Sequence, residues 1–122
     1  MAWNSGSQVT TGHIIGDVAG KTVLMVDDMI STAGTICEAA KLVREHGAKD
    51  IIVGATHGLF VGPAFERIKQ AGISRVVVTN TIPQDAARAA LGDTPVELCV
   101  GPLLGDAIHR VHHNESVSEL FR

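Results

Sequence analysis

The stretch Val23-Leu24-Met25-Val26-Asp27-Asp28-Met29-Ile30-Ser31-Thr32-Ala33-Gly34-Thr35 decides how this chain is read. Its first half is an apolar, partly β-branched run of the length of a buried parallel strand, and two carboxylates follow it at once. A strand ending in a charged crevice is expected. Its second half, residues 31–35, is small and hydroxylic and leads into residues 36–46, where Ile36, Ala39, Ala40 and Val43 recur at helical spacing. A loop feeding a helix N-terminus is expected next.

That combination suits a definite chemistry. Unpaired backbone N–H groups at a helix start, with the positive end of the macrodipole, attract an anion, and Ser and Thr hydroxyls add donors around it. A phosphate monoester fits such a cradle. Asp27 and Asp28 cannot bind the phosphate, but carboxylates accept hydrogen bonds from sugar hydroxyls and share a hard cation such as Mg²⁺. An acid pair beside a phosphate cradle points to a sugar phosphate.

Outward from this stretch the pattern repeats. Upstream, residues 1–11 are polar and small and read as lacking regular structure, a disordered start or one foreign to the domain proper, which then spans residues 12–122. Ile14, Ile15 and Val18, punctuated by Gly12, Gly16 and Gly20, read as an edge strand. The glycine spacing is not G-x-G-x-x-G and precedes a strand instead of following one, so a Rossmann cofactor site is rejected. Downstream, Gly47 closes the first helix as a C′ glycine, with Arg44 and His46 in its last turn. A second buried strand is expected over residues 50–56, a helix over 63–70, a third strand over 75–79, a short helix over 85–91 and a fourth strand over 96–100. Pro102 opens a last helix over 103–112, and residues 117–121 make a terminal turn. Strands alternating with helices at these spacings predict an α/β fold, a three-layer α/β/α single domain whose mainly parallel sheet is covered on both faces. Ligands of such sheets bind beyond the carboxyl ends of the strands, where the Asp pair, Thr56-His57-Gly58 and Asn80-Thr81-Ile82-Pro83 should converge.

Composition limits the function classes. With 122 residues, 45% apolar and 19% charged, the chain is expected to form one soluble domain. A net charge of −3 without a basic stripe, and 3% aromatic residues, argue against nucleic acid as partner. No apolar run reaches a membrane span and no signal pattern opens the chain, so a cytoplasmic protein without a membrane partner is expected. Cys37 and Cys99 lack metal or redox spacing and are expected to be buried thiols. His57 follows a strand on the active rim, and its structural and ligand-facing readings stand equal. His109 and His113 lie four apart on the last helix, but no third metal ligand is evident, so no metal site is assigned.

The run Val26-Asp27-Asp28-Met29-Ile30-Ser31-Thr32-Ala33-Gly34-Thr35 also resembles the ribose-phosphate loop of type I phosphoribosyltransferases, and in detail that of the ribose-phosphate pyrophosphokinases, or phosphoribosyl pyrophosphate synthetases. Ile14-Ile15-Gly16-Asp17-Val18, Ala55-Thr56-His57-Gly58-Leu59-Phe60, Val76-Val77-Val78-Thr79-Asn80-Thr81-Ile82-Pro83 and Asn114-Glu115-Ser116-Val117-Ser118-Glu119-Leu120-Phe121 are similar to that family in the same order. The resemblance implies a phosphoribosyltransferase-like fold and a ribose 5-phosphate site, with Thr32, Ala33, Gly34 and Thr35 around the phosphate and Asp27 and Asp28 near the ribose hydroxyls. Ser31 stands where the family commonly has an acid, which puts that acid's contribution near the anomeric centre in question. Ser116 and Phe121 match positions that, in regulated members, help to bind an allosteric phosphate or nucleotide; packing of a terminal turn is the equal alternative.

The family's reaction moves the β,γ-pyrophosphoryl group of ATP to ribose 5-phosphate, with Mg²⁺ as cofactor and ATP as co-substrate. Its members carry two similar domains, and this chain resembles only the second. The family's ATP-contacting groups, a magnesium-binding histidine and a mobile basic loop have no counterpart in residues 1–21, so no residue here is assigned as catalytic and catalysis by this chain alone is not expected. The resemblance implies a small-molecule sugar phosphate as ligand and a homo-oligomer, or association with a full-length synthetase, as assembly. Two rival readings share features of this chain. A receiver-type signalling module shares the acid pair after a strand, yet it needs an Asp and a Lys at later strand ends where this chain offers His57, Asn80 and Gly101. A non-catalytic regulatory or assembly subunit of the same family stays open.

Overall fold

The computed structural model describes residues 2–4, 7–10 and 13–121. Its organising strand is β4 (Thr22–Ile30), whose apolar run pairs in parallel with β5 (Asp50–Gly58); β5 in turn pairs in parallel with β6 (Arg75–Thr79), and β6 with β7 (Pro95–Leu98). On the other side of β4, three short strands, β1 (Ala2–Asn4), β2 (Ser7–Thr10) and β3 (His13–Ile15), add antiparallel, so the sheet runs β3-β2-β1-β4-β5-β6-β7. β3 is the edge expected from Ile14 and Ile15. Residues 2–4 and 7–10 correct the expectation that residues 1–11 lack regular structure. The free edge of β4 offers a ladder of N–H and C=O groups, and such a template recruits segments of weak intrinsic strand propensity.

Helices α1 (Gly34–Glu45), α2 (Ala64–Ala71), α3 (Asp85–Leu91) and α4 (Gly101–His112) follow β4, β5, β6 and β7 in turn, and a 3₁₀ turn (Ser118–Phe121) ends the described chain. Gly47, at φ 92°, takes the left-handed conformation of a C′ residue, where a side chain would be strained. The fourth strand begins one residue earlier than expected and ends two earlier, at Leu98, and Val100 becomes the N-cap of α4 with Pro102 in its first turn. The missing proline N–H is one of the helix's orphan donors anyway.

The core lies between the sheet and the first three helices. Val23 and Met25 of β4, Ile51 and Val53 of β5, and Val76 and Val78 of β6 are buried against Cys37, Ala40 and Val43 of α1 and Ala64, Ile68 and Ala71 of α2. Each such Val, Ile or Met contributes about 1.5–3 kcal/mol when fully buried. The register places Leu24, Val26, Ile52, Val77, Val96 and Leu98 together on the opposite face. There Leu24 and Val26 are about half exposed, at 49% and 53%. No residue of α4 is buried either. The α/β fold and mainly parallel sheet are as expected, and α1, α2 and α3 pack on the core face. Strand alternation reveals an apolar face, and the length of chain needed to cover it is a tertiary matter. Among the described residues no helix is long and apolar enough to cross a membrane.

Candidate functional site

The acid pair lies inside β4 and not beyond its end, because β4 keeps pairing with β5 through Ile30↔Gly58. Successive strand residues face opposite ways. Asp27 accordingly lines a pocket of about 180 Å³ with Met29, Ile30, Ser31, Thr32, Ala33, Gly34, Thr35 and Ile36, while Asp28 is not part of its wall. Six of the seven residues expected to hold a sugar phosphate thus surround one pocket, and Asp28 does not. Asp28 instead donates its backbone N–H to Asp27 Oδ1 at 2.8 Å. That bond is the main reason the Asp27 carboxyl is held below its ordinary value.

The loop after β4 makes an unusual helix start. Ala33 is the N-cap of α1 and sits at φ 64°, ψ 15°, the left-handed region that costs a non-glycine residue about 1–3 kcal/mol. An alanine keeps its side chain buried there. No side chain caps the helix, and the first intrahelical bond recorded beyond the loop is Cys37 N–H to Ala33 O at 3.1 Å. The N–H groups of Gly34, Thr35 and Ile36 precede it, so they are the orphan donors of the helix start, on residues that line the pocket.

Neighbouring loops fix this shape from outside. The turn after β5 gives Leu59 N–H and Phe60 N–H to Ile30 O, at 2.9 and 3.2 Å, and Val61 N–H to Ser31 O at 2.9 Å. Phe60 takes φ 50°, is buried, and stacks on Phe65 with centroids 5.3 Å apart. The loop after β6 is tied in through the buried Gln84, whose Nε2 donates to Gly58 O and Ile82 O, both at 3.0 Å. His57 is exposed at the strand register of Met29, with Nδ1 2.8 Å from Thr81 Oγ1. Thr79 Oγ1 donates to Thr56 O at 2.7 Å. The three rim loops therefore meet, as the sheet rule predicts.

Arg67 and Gln84 were not singled out from sequence. Arg67 stands on α2 and its Nη1 donates to Thr32 O at 3.1 Å, across 35 positions of chain. No local pattern announces such a contact. Ser116 and Phe121 lie apart from the pocket wall, on the chain after α4. Ser116 O accepts from Arg110 Nη1 at 3.0 Å, its Oγ lies 2.7 Å from Ser118 Oγ, and Phe121 is exposed. Cys37 is buried, and desolvation pushes its thiol up. Cys99 corrects its expectation: it is exposed, with Asn80 Nδ2 donating to Sγ at 3.4 Å, because β7 ends at Leu98 and leaves it in the turn before α4. The His109 and His113 rings stack 4.2 Å apart, and no group of three His, Cys, Asp or Glu able to hold a metal occurs among the described residues.

A mainly parallel sheet with a hydroxyl-rich, uncapped helix start at the carboxyl end of its central strand defines an α/β domain of the phosphoribosyltransferase-like class. The phosphoribosyl synthetase-associated domain family matches residues 8–122. The chain is 54% identical over 107 residues to the ribose-phosphate pyrophosphokinase of Rhodopirellula baltica, covering 88% of this chain and 33% of that protein. It is 47% identical over 109 residues to that of Helicobacter hepaticus, covering 89% and 34%. The crystal structure of phosphoribosylpyrophosphate synthetase from Mycobacterium smegmatis superposes with a TM-score of 0.77 at 41% identity, over 88% of this chain and 36% of that one. The chain belongs to the ribose-phosphate pyrophosphokinase family, and it spans about a third of the length of these relatives.

Proposed function

We propose that this chain is the ribose 5-phosphate-binding domain of a ribose-phosphate diphosphokinase, corresponding to the C-terminal domain of that family, and that it serves nucleotide biosynthesis in the cytoplasm. The observation that carries the reading is the uncapped start of α1, held open by a left-handed Ala33 within a pocket walled by Asp27 and the residue 31–35 loop. The N–H groups of Gly34, Thr35 and Ile36 and the hydroxyls of Thr32 and Thr35 are the natural donors to a phosphate. Asp27 accepts from the ribose hydroxyls. Asp28, outside the pocket wall, acts on the sugar only through Asp27, whose carboxylate it orients by its N–H.

The donor set also fits Mg²⁺ in the manner this ion prefers, with few protein carboxylates and several water or substrate oxygens. Asp27 Oδ1 is engaged by Asp28 N–H, and its other oxygen is the one to share the cation. The ion would neutralise charge between sugar and incoming phosphates. Pyrophosphoryl transfer from ATP needs cationic groups on the transferring phosphates, and the described pocket wall includes no Lys or Arg. Residues outside this wall, in the rest of a longer chain or in a partner subunit, are therefore proposed to supply the ATP site.

Calorimetric titration with ribose 5-phosphate, with and without Mg²⁺, tests the reading. Saturable binding is expected for the wild-type chain and strong weakening in Thr35→Val and Asp27→Asn. Absence of binding at millimolar ligand overturns it.

A further inference from the structure

Arg67 occupies an electrostatically odd position. Its guanidinium is held against the loop by the bond from Nη1 to Thr32 O, and an added Cβ on Gly34 would come within 3.2 Å of that same nitrogen. The cation therefore sits at the positive end of the α1 dipole, and its field reaches Cys37 in the first turn. A positive group is normally placed at the other end of a helix. Nothing in the folding of the loop requires a cation at this point, since a neutral donor would serve Thr32 O as well. The arrangement becomes favourable once an anion binds at the helix start, within the field of the guanidinium behind the loop.

We propose that Arg67 is the positioning residue of the phosphate loop: it fixes the Thr32 carbonyl, and with it the Thr32–Ala33 peptide plane that leads into the N–H groups of Gly34 and Thr35, and adds a positive charge that a phosphate relieves. This rests on the sugar-phosphate reading of the pocket. Gly34 belongs to the same device, because its missing side chain leaves room for the guanidinium beside the loop. The two residues reach the contact from opposite sides, one on α2 and one at the start of α1. Arg67 is exposed on α2, so its replacement removes no core packing.

The test is titration of wild-type, Arg67→Met, Gly34→Ala and the double variant with ribose 5-phosphate, together with amide NMR of the ligand-free proteins. A hydrogen bond to a charged group corresponds to an affinity loss of about 10- to 100-fold in Arg67→Met. Gly34→Ala, which makes the guanidinium give way slightly while keeping its charge in the chain, weakens binding less. The double variant is no weaker than Arg67→Met alone, because both substitutions remove one contact. The amide resonances of residues 31–36 move in ligand-free Arg67→Met, which a remote charge effect on the ligand would not cause. Wild-type binding that is matched by Arg67→Met overturns this inference and leaves the pocket reading intact, as do losses that multiply in the double variant. Failure of the wild-type chain to bind overturns both. Should Arg67→Met fold poorly, Gly34→Ala against wild type reads the same contact by itself.

Discussion

Replacing Gly58 by alanine is expected to destabilise the domain by about 2–3 kcal/mol, near the top of the usual range for overpacking. A Cβ built there lies 2.5 Å from Phe60 Cε2 and 3.0 Å from both Phe60 Cζ and Val78 Cγ1. Carbon atoms prefer roughly 3.5–4.0 Å, so the ring must withdraw by about 1 Å. It has little freedom to do so. Phe60 stacks on Phe65, its backbone is already at φ 50°, and its N–H is bonded to Ile30 O. Val78 is buried in β6 and equally fixed. Urea unfolding followed by circular dichroism measures the cost, which corresponds to a Tm drop of roughly 6–15 °C for a domain of this size. Phe60→Leu shortens the clashing ring, so adding Gly58→Ala to that variant should cost less than adding it to the wild type. Any movement of Phe60 also drags the Val61 N–H to Ser31 O bond, so affinity for ribose 5-phosphate should fall in Gly58→Ala. A loss below about 0.5 kcal/mol, the level of an ordinary surface substitution, refutes the close-packing argument.

Other perturbations address separate parts of the structure. Gln84→Met should cost about 1–3 kcal/mol in urea unfolding, since the buried Gly58 carbonyl and the partly buried Ile82 carbonyl lose their shared donor; a neutral result removes Gln84 as the tie between rim loops. Asp27 is depressed in the folded state by the Asp28 N–H, so its contribution is present above the ordinary carboxylate pKa and is lost as pH falls through the lower, folded value. Acid titration of stability should therefore be shallower at low pH in Asp27→Asn than in wild type, and identical acid limbs count against the bond. Native alkylation at pH 8 should label Cys99 and spare Cys37 until denaturant is added; mass spectrometry finding both labelled at equal rates contradicts the buried, desolvated Cys37 thiol.

Much of this was legible along the chain. The apolar run before Asp27, the hydroxylic loop and the helical spacing after it placed the start of β4, the pocket loop and α1 to within about two residues, because each is set by a local periodicity, whereas the end of β4 runs on through the acid pair to Ile30. β6 and α3 fall where Val76-Val77-Val78 and the alanine-rich segment put them. Short polar segments gave no such signal. Residues 2–4 and 7–10 become strands through the edge that β4 offers, and their own composition does not predict it. Cys99 was misjudged for a similar reason: β7 stops one residue short of it, and strand ends are set by the partner strand's length.

The sequence by itself determined the element order from β3 onward, the alternation of strand and helix there, and the identity of the loop, since these depend on neighbours in the chain. Tertiary structure decided the rest. It turned Asp27 into the pocket and Asp28 out of it, because the pleat continues through the pair. It brought Arg67 to Thr32 O across 35 positions and Gln84 to Gly58 O across 26, contacts set by how α2 and the β6 loop pack on the sheet. It also left Leu24, Val26 and the large apolar residues of α4 exposed, which no local pattern encodes.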